Sequence, residues 1–299
     1  MYVFTGEPVR VTGIDENGYG PFLGPLVVTR VDLEVEGDPW QHLDLTQQAR
    51  PPLFRDSKEI FRRSLPTYRN GEFLALGLLQ AQGLQIQDFH SLVQQLLGRT
   101  LQDLYAPCPS LASLYLNLPL PAWLDHTPPP LHHPSPGVRL AEIRVDILSE
   151  PLFNEQVDRY GSKALVDFRL FLSLLEAGES GQEAFLGKIG GTRRYSRWFQ
   201  QLKEPVEVLR ETRHHAAYRW HGQRLHFLQN ADARWLPVAM ASVVGKYLRE
   251  LFMLALSRGL GFEHPLPYAS GYAHDPRSHE VAQRLARLGL PPFCFRRKK

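Results

Sequence analysis

Residues 9–25 read VRVTGIDENGYGPFLGP and combine a strand pattern with two adjacent carboxylates, Asp15 and Glu16. The first six residues of this segment are rich in β-branched side chains, which is typical of a β-strand. Three glycines and two prolines follow the acids, and this composition predicts a tightly turned backbone. An acid pair at the end of a strand beside such a turn can approach a substrate backbone closely.

The two acids point to a divalent metal site if they can act together. Successive side chains of a strand point to opposite faces, so Asp15 and Glu16 can share a site only where the strand bends or ends. The turn predicted at Asn17-Gly18 supplies that ending. Mg²⁺ and Mn²⁺ prefer oxygen ligands, and two such ions roughly 3.5–4 Å apart can activate water against a phosphodiester. An isolated acid pair is more often surface charge, so the interpretation depends on the rest of the sequence.

The remaining patterns predict one α/β domain over residues 1–299, with strands first and helices towards the C-terminus. The predicted elements are strands from Leu26 and from Leu140, a helix over 80–104, a helix over Leu165–Ala177, a short strand Ala184–Leu186 and a long helix from about Pro237. Residues 105–137 are rich in proline, which predicts an irregular insertion or linker and not a packed element.

Composition narrows the class of protein only slightly. The chain is 43% hydrophobic and 22% charged, which is ordinary for a soluble globular protein. A net charge of +3 argues weakly for nucleic acid. Arg193, Arg194 and Arg197 surround Tyr195 and Trp198, a pattern that suits phosphate contacts and base stacking or, equally, a solvated surface.

Targeting signals and cysteines favour the cytoplasm. The sequence contains no signal-peptide pattern and no apolar run of membrane-spanning length. Cys108 and Cys294 are far apart and lack metal-binding spacing, so we expect free or buried thiols in a reducing compartment.

Four segments, in order, resemble ribonuclease HII and its HIII relatives. They are Gly13–Pro25, then Asp56-Ser57-Lys58, then Asn230-Ala231-Asp232 with the helix segment AMASVVGKYLRE at 239–250, and finally Ser270-Gly271-Tyr272 followed by His279 and a basic tail. The resemblance spans almost the whole chain, and the order of the four motifs makes it specific. It implies a ribonuclease H-like mixed sheet flanked by helices, a helical C-terminal part and a monomer.

The resemblance also assigns roles to residues. Asp15, Glu16 and Asp232 would be catalytic metal ligands. The tripeptide Gly18-Tyr19-Gly20 would sense the ribose 2′-hydroxyl, the group that separates RNA from DNA. Tyr272 would stack near the RNA–DNA junction.

Three cations of the motifs would serve the same site. Lys58, Lys246 and Arg249 would contact phosphates or buttress the acids. A solvated helix face is the alternative for Lys246 and Arg249.

Two departures from the family pattern affect these roles. Tyr19 stands where the family has Arg or Lys, which removes one phosphate contact. Gly187 stands where the family has a third carboxylate. Glu211 and Asp146 are the candidate substitutes, although neither need replace the ligand.

Lys188 offers a different outcome at the same place. Its ammonium could occupy the vacated volume and neutralise Asp15 and Glu16 without a metal.

The resemblance therefore implies an endonuclease that uses Mg²⁺ or Mn²⁺ and water to cleave the RNA strand of RNA–DNA hybrids or ribonucleotide-containing duplexes. Its products would carry 3′-hydroxyl and 5′-phosphate ends. A non-catalytic nucleic-acid-binding relative is the alternative, because Gly187 offers no oxygen ligand. A nuclease with other substrates is compatible with Tyr19.

Overall fold

A computed structural model describes residues 8–47, 53–178 and 182–298. The strands are β1 (Val9–Asn17), β2 (Leu26–Val35), β3 (Val138–Leu148), β4 (Glu183–Gly187), β5 (Glu207–Glu211), β6 (His215–Trp220) and β7 (Gln223–Leu228). The helices are α1 (Pro39–His42), α2 (Ser57–Ile60), α3 (Leu65–Ala81), α4 (Phe89–Leu97), α5 (Leu101–Leu104), α6 (Pro109–Ala112), α7 (Glu150–Tyr160), α8 (Lys163–Ala177), α9 (Ser196–Leu202), α10 (Ala231–Arg234), α11 (Leu236–Gly259), α12 (Pro276–Arg287) and α13 (Pro292–Phe295), with a 3-10 turn at Leu45–Gln47.

The strands form one mixed sheet in the order β3-β2-β1-β4-β7-β6-β5. β1, β4 and β7 run parallel at its centre, and the flanking pairs are antiparallel. The carboxyl ends of the three parallel strands therefore lie at one edge, where open α/β sheets form their binding crevices. The expected α/β class, a mixed sheet flanked by helices with a helical C-terminal part, is confirmed.

Helix α11 covers one face of the sheet at very short range. A side-chain carbon on Gly13 would lie 2.4 Å from the backbone carbon of Pro237, and one on Gly245 would lie 2.3 Å from Oδ1 of Asn17. The helix can therefore reach β1 only because both positions are glycine. This approach places the N-terminal half of α11 beside the acid end of β1.

Helix α8 covers the opposite face. Its buried residues Val166 and Phe168 belong to a core cluster that contains Ile14 and Val28 of the sheet. Val11 belongs to the other cluster, with α11, as the alternation of strand side chains requires.

The helix expected over 80–104 is wrong as a continuous element. Helix α3 begins much earlier and ends at Ala81, and α4 begins only at Phe89. Gly83 and Gly98 have φ of +77° and +65°, the left-handed conformation that commonly ends helices. Apolar spacing alone did not reveal these two ends.

The expectation that residues 105–137 are not a packed element is also wrong. Tyr105 and Tyr115 are fully buried and share a hydrogen bond of 2.8 Å between their hydroxyls. Trp123 is 4% exposed, and its indole donates to the carbonyl of Pro265 at 2.8 Å. Proline excludes regular structure, but the aromatic residues between the prolines still anchor the segment to the core.

The expectation of thiols is contradicted by a disulfide between Cys108 and Cys294, whose Cα atoms are 5.7 Å apart. Packing of the proline-rich segment against α13 brings together two residues that are 186 positions apart. Sequence spacing could not show this pairing. No helix among the described residues is long and apolar enough to cross a membrane.

We expect Gly13→Ala to lower the free energy of unfolding by about 1–3 kcal/mol, because the added carbon overpacks the contact with Pro237. Urea unfolding measures the change. Gly191→Ala is the matched control, since a side-chain carbon there meets nothing within 4 Å. Equal stability of the two variants would contradict the close approach of α11 to β1.

We expect no free thiol when the denatured, unreduced protein is titrated with a thiol reagent. Cys294→Ser should then lower the free energy of unfolding by about 2–4 kcal/mol, because a cross-link restricts the unfolded chain. Two titratable thiols per chain, in protein alkylated at lysis, would restore the expectation of a reducing compartment.

Candidate active site

A cavity of about 600 Å³ opens at the carboxyl ends of the parallel strands, and we call it the acid cavity. All ten residues predicted for the site line it: Asp15, Glu16, Gly18, Tyr19, Gly20, Lys58, Asp232, Lys246, Arg249 and Tyr272. These residues come from β1 and the turn after it, α2, α10, α11 and the segment after α11. All of these elements meet at the same edge of the sheet, so the side chains converge there.

The acid pair sits on the last residues of β1, which ends at Asn17 as predicted. Asp15 alternates with Ile14 and faces α11, where a hydrogen bond with Ser242 lowers its pKa. Glu16 shares the face of Ile14, towards α8. Both carboxylates reach one cavity because the strand stops directly after them.

The environment of the pair opposes ionisation. Burial is the largest cause that raises the pKa of Asp15 well above its ordinary value, and the charges of Glu16 and Asp232 raise it further. Burial also raises the pKa of Glu16 well above the usual range, followed by the charge of Asp167. Like charges held together in a low dielectric destabilise each other unless a cation lies between them.

Asp232 approaches the pair from the segment after β7. Asn230 takes the left-handed conformation with φ of +53°, and α10 then begins at Ala231. Burial and the charge of Asp56 raise the pKa of Asp232, while Lys58 opposes them. Burial would lower the pKa of Lys58, but Asp232 and other carboxylates raise it, so the ammonium stays charged.

Gly187 lies directly beside Asp15. The parallel register pairs Ile14 with Leu186, so the next residue of each strand is Asp15 and Gly187. A side-chain carbon at 187 would lie 2.3 Å from Oδ1 of Asp15. The Asp15 carboxylate therefore leans over the position from which a third acid would project.

Neither substitute acid proposed from the sequence reaches the acid cavity. Glu211 lies on the far edge strand β5, where its carboxylate accepts from the hydroxyl of Ser196 at 2.7 Å. Asp146 lies on the opposite edge strand β3 and pairs with Arg99 at 3.4 Å. Both acids are separated from β1 by other strands, so the expectation that one of them replaces the third carboxylate has no support in the structure.

Lys188 does not neutralise the acids either. Its ammonium donates to the backbone carbonyl of Arg213 at 2.5 Å. Burial lowers its pKa, as do the charges of Arg193 and Arg213. These three cations line the acid cavity.

Two buried arginines hold the glycine tripeptide. Gly18 has φ of +101°, and a side-chain carbon there would lie 2.8 Å from Nε of Arg249. The guanidinium of Arg297 donates to the carbonyls of Gly18 and Pro21. The tripeptide backbone is therefore fixed by side chains from the C-terminal part of the chain.

Arg249 and Lys246 of α11 do not both lie on a solvated helix face. Arg249 is 1% exposed and donates to the carbonyls of Leu23 and Ser270, both at 3.1 Å, so the solvated alternative is wrong for this residue. Lys246 is half-buried and pairs with Glu250 at 2.7 Å. Arg249 therefore supports the backbone at Leu23 and Ser270, and its role towards phosphates or the acids stays a prediction.

One aromatic residue of the site, Tyr19, belongs to the tripeptide, and the other, Tyr272, packs against it. A side-chain carbon on Gly20 would lie 3.1 Å from the ring of Tyr272, which allows the ring to sit close to the backbone. The ammonium of Lys163 lies 4.5 Å from the ring centre of Tyr19, in a cation–π contact. Burial, followed by the charges of Asp167 and Glu16, raises the pKa of Tyr19 to about 12.

Sequence reasoning missed three residues that bear on the site: Asp167, Lys163 and Arg297. A signal existed for Asp167, which is an isolated acid among the apolar residues of α8. Arg297 lies in the basic tail that resembles the family, but its contact with the tripeptide could not be predicted, and Lys163 gave no signal, because both roles depend on packing against the tripeptide.

The donor set suits a hard divalent cation. Asp15, Glu16 and Asp232 present carboxylate oxygens to one cavity, and their mutual repulsion is relieved by positive charge. No group of three or more such side chains close enough to hold a metal ion occurs within the described ranges. The acids therefore match a hard divalent cation in the type of ligand atom that they offer.

A comparison with protein-family models gives a match to the C-terminal third of the chain. The family model described as Ribonuclease HII matches residues 203–298, a range that contains Asp232, Lys246, Arg249 and Tyr272. Among curated proteins, none matches this sequence.

Three solved structures are similar to the chain. One is the PCNA:RNase HII complex from Archaeoglobus fulgidus, at 17% identity over 97% of this chain and 98% of that chain, with a TM-score of 0.47. Another is ribonuclease H2 from Pyrococcus horikoshii OT3, at 18% identity over 95% and 92%, with a TM-score of 0.45. The third is Bst-RNase HIII in complex with Mn²⁺, at 17% identity over 98% and 67%, with a TM-score of 0.43.

The raised pKa values of the acids predict how stability depends on pH without metal. Folded Asp15, Glu16 and Asp232 bind protons more tightly than the unfolded chain does, so stability falls as pH rises above the ordinary carboxyl pKa of about 4. In chelator, we expect Asp15→Asn to be more stable than the wild type at pH 8, with a smaller difference at pH 5.

Urea unfolding at several pH values measures this difference. Asp125→Asn removes an exposed acid outside the acid cavity and controls for the loss of a surface charge. If Asp15→Asn were no more stable than the wild type at pH 8, the proposed repulsion among the acids would be contradicted.

Proposed function

We propose that this ribonuclease HII/HIII-like chain is a metal-dependent endonuclease that hydrolyses the RNA strand of RNA–DNA hybrids. The observation that carries the proposal is the convergence of Asp15, Glu16 and Asp232 in one cavity beside the Gly18–Gly20 backbone. Burying acids that repel each other lowers the stability of the fold, and a reaction that depends on a bound cation would explain why the acids are buried together.

Asp15, Glu16 and Asp232 would hold Mg²⁺ or Mn²⁺. When bound, the ions supply activation of water and stabilisation of the leaving oxygen. In the overall reaction the water oxygen bonds to phosphorus, the bond from phosphorus to the ribose 3′-oxygen breaks, and that oxygen gains a proton. The products then carry 5′-phosphate and 3′-hydroxyl ends.

The basic residues of the cavity would bind the phosphate backbone. Lys58, Arg193, Arg213 and Lys246 line the acid cavity. Cations around an acid centre favour the approach of a polyanion that the carboxylates alone would repel. Lys58 has a second role, because its charge lies close to Asp232 and Asp15.

Selectivity for RNA would come from the fixed backbone of the glycine tripeptide. Arg297 and Arg249 hold this backbone from behind, so its polar groups are positioned before substrate arrives. A 2′-hydroxyl can both donate and accept, and a rigid backbone can read it. Tyr272, packed beside Gly20, offers a ring for stacking at the same place.

A non-catalytic nucleic-acid-binding relative is the second candidate, and Gly187 favours it. Position 187 offers no carboxylate, and Asp15 fills the space beside it. Such a protein would keep the basic cavity walls and the tripeptide and would bind hybrids without cleaving them.

The proposal extends to the organisation of the protein. We place one ribonuclease H-like domain over residues 1–299, active as a monomer, with hybrids or ribonucleotide-containing duplexes as substrates. The core clusters on the two faces of a single sheet support one domain.

Cleavage of a labelled RNA–DNA hybrid with Mg²⁺ or Mn²⁺ tests the enzyme directly. We expect metal-dependent cleavage that Asp15→Asn reduces by at least roughly 100-fold, because even groups behind the ligands are worth 10–100-fold. Glu211→Gln is the matched control and should retain activity, since Glu211 lies outside the acid cavity.

Three other results would change the assignment. A hybrid that is bound but not cleaved would establish the binding relative. Equal cleavage of plain DNA would indicate a nuclease with a broader substrate range. Loss of activity in Glu211→Gln would contradict the boundary of the site.

A further inference from the structure

We propose that Asp167 of helix α8 is a fourth acid of the cation site and compensates, from the other face of the sheet, for the carboxylate that position 187 lacks. The inference rests on the proposed function, because it assigns a further ligand-bearing residue to the same centre. No sequence motif pointed to Asp167.

Asp167 is buried without any hydrogen-bond partner. The residue is 0% exposed, and neither carboxylate oxygen has a partner among the described residues. Buried polar groups are almost always paired, and an unpaired buried acid is strongly destabilising. An unexplained group of this kind suggests a partner that binds there.

The face of the sheet that carries Glu16 packs against the helix of Asp167. Helix α8 packs on the sheet face that carries Ile14, and Glu16 projects from the same face two residues later. Asp167 is the charged neighbour with the largest effect on Glu16, and Asp15 in turn raises the pKa of Asp167. Asp167 therefore extends the set of mutually repelling acids by one member.

Position 187 could not easily carry the third acid in this chain. A side-chain carbon there would lie 2.3 Å from Oδ1 of Asp15, so an acid at 187 would require Asp15 to move. The face of Glu16 is free of that conflict. A carboxylate supplied by α8 can join the centre without displacing Asp15.

Arg297 is the cation that could otherwise neutralise Asp167, and it does not satisfy the carboxylate. Its charge lowers the pKa of Asp167, but no hydrogen bond joins the two side chains. The guanidinium instead donates to the carbonyls of Gly18 and Pro21 and also lies near Glu150. A divalent ion shared with Glu16 would supply the charge that Arg297 leaves incomplete.

Mn²⁺ binding measured by calorimetry tests the assignment apart from activity. We expect Asp167→Asn to weaken Mn²⁺ binding about 10-fold or more. In chelator its free energy of unfolding should be unchanged or higher, because one repelling charge is removed. Asp146→Asn is the matched control, an acid paired with Arg99 outside the acid cavity, and should bind Mn²⁺ as the wild type does.

Unchanged Mn²⁺ affinity in Asp167→Asn would overturn the proposal and leave Asp167 as a counter-charge to Arg297. If Asp167→Asn does not fold in chelator, Asp167→Ser is measured instead, and failure of both to fold would assign a structural role and also overturn the proposal. Hybrid cleavage by the wild type separates the two proposals. If the wild type cleaves hybrids and Asp167→Asn binds Mn²⁺ as the wild type does, only the role of Asp167 is refuted. If the wild type neither binds Mn²⁺ nor cleaves hybrids, the proposed function is refuted as well.

Discussion

The burial of several carboxylates together, with the repulsion among them, is the constraint on which the rest of the structure depends. Asp15, Glu16, Asp167 and Asp232 each have a raised pKa, with burial as the largest cause in every case. A fold built only for stability would place apolar residues at these positions, because buried charge without compensation is costly. The arrangement is best understood as a site whose free energy falls when a cation and a polyanionic substrate arrive.

The packing around this site keeps the acids where they are despite their repulsion. Gly13 lets α11 lie directly on β1, which fixes Ser242 beside Asp15. On the other side, Arg249 and Arg297 hold the backbone of the glycine tripeptide. The cost of the site is therefore offset by rigid contacts made by the C-terminal half of the chain. In this way distant parts of the sequence determine the geometry of its first strand.

The sequence predicted the strand pattern, the α/β class and ten of the residues that line the acid cavity, because ordered motifs carry that information. The sequence did not show how the structure accommodates glycine at position 187. The Asp15 side chain of the neighbouring strand lies beside that position, and sequence alone does not show this contact. Glu211 and Asp146 were predicted as substitute ligands from their positions in the sequence, but the sheet order places both on edge strands. The sequence did not predict a role for Asp167, because helical periodicity indicates which face of a helix is apolar and does not show what a single buried acid contacts. The disulfide and the packed proline-rich segment likewise depend on contacts between distant residues.

Anomalous scattering at the manganese edge, from crystals grown with Mn²⁺, tests most directly whether the acid cavity is a cation centre. We expect a peak within the acid cavity, bordered by Asp15, Glu16 and Asp232. Well-diffracting crystals that show no peak there, with the carboxylates in the same positions, would contradict it. The chain would then be a nucleic-acid-binding relative whose acids have lost their cation.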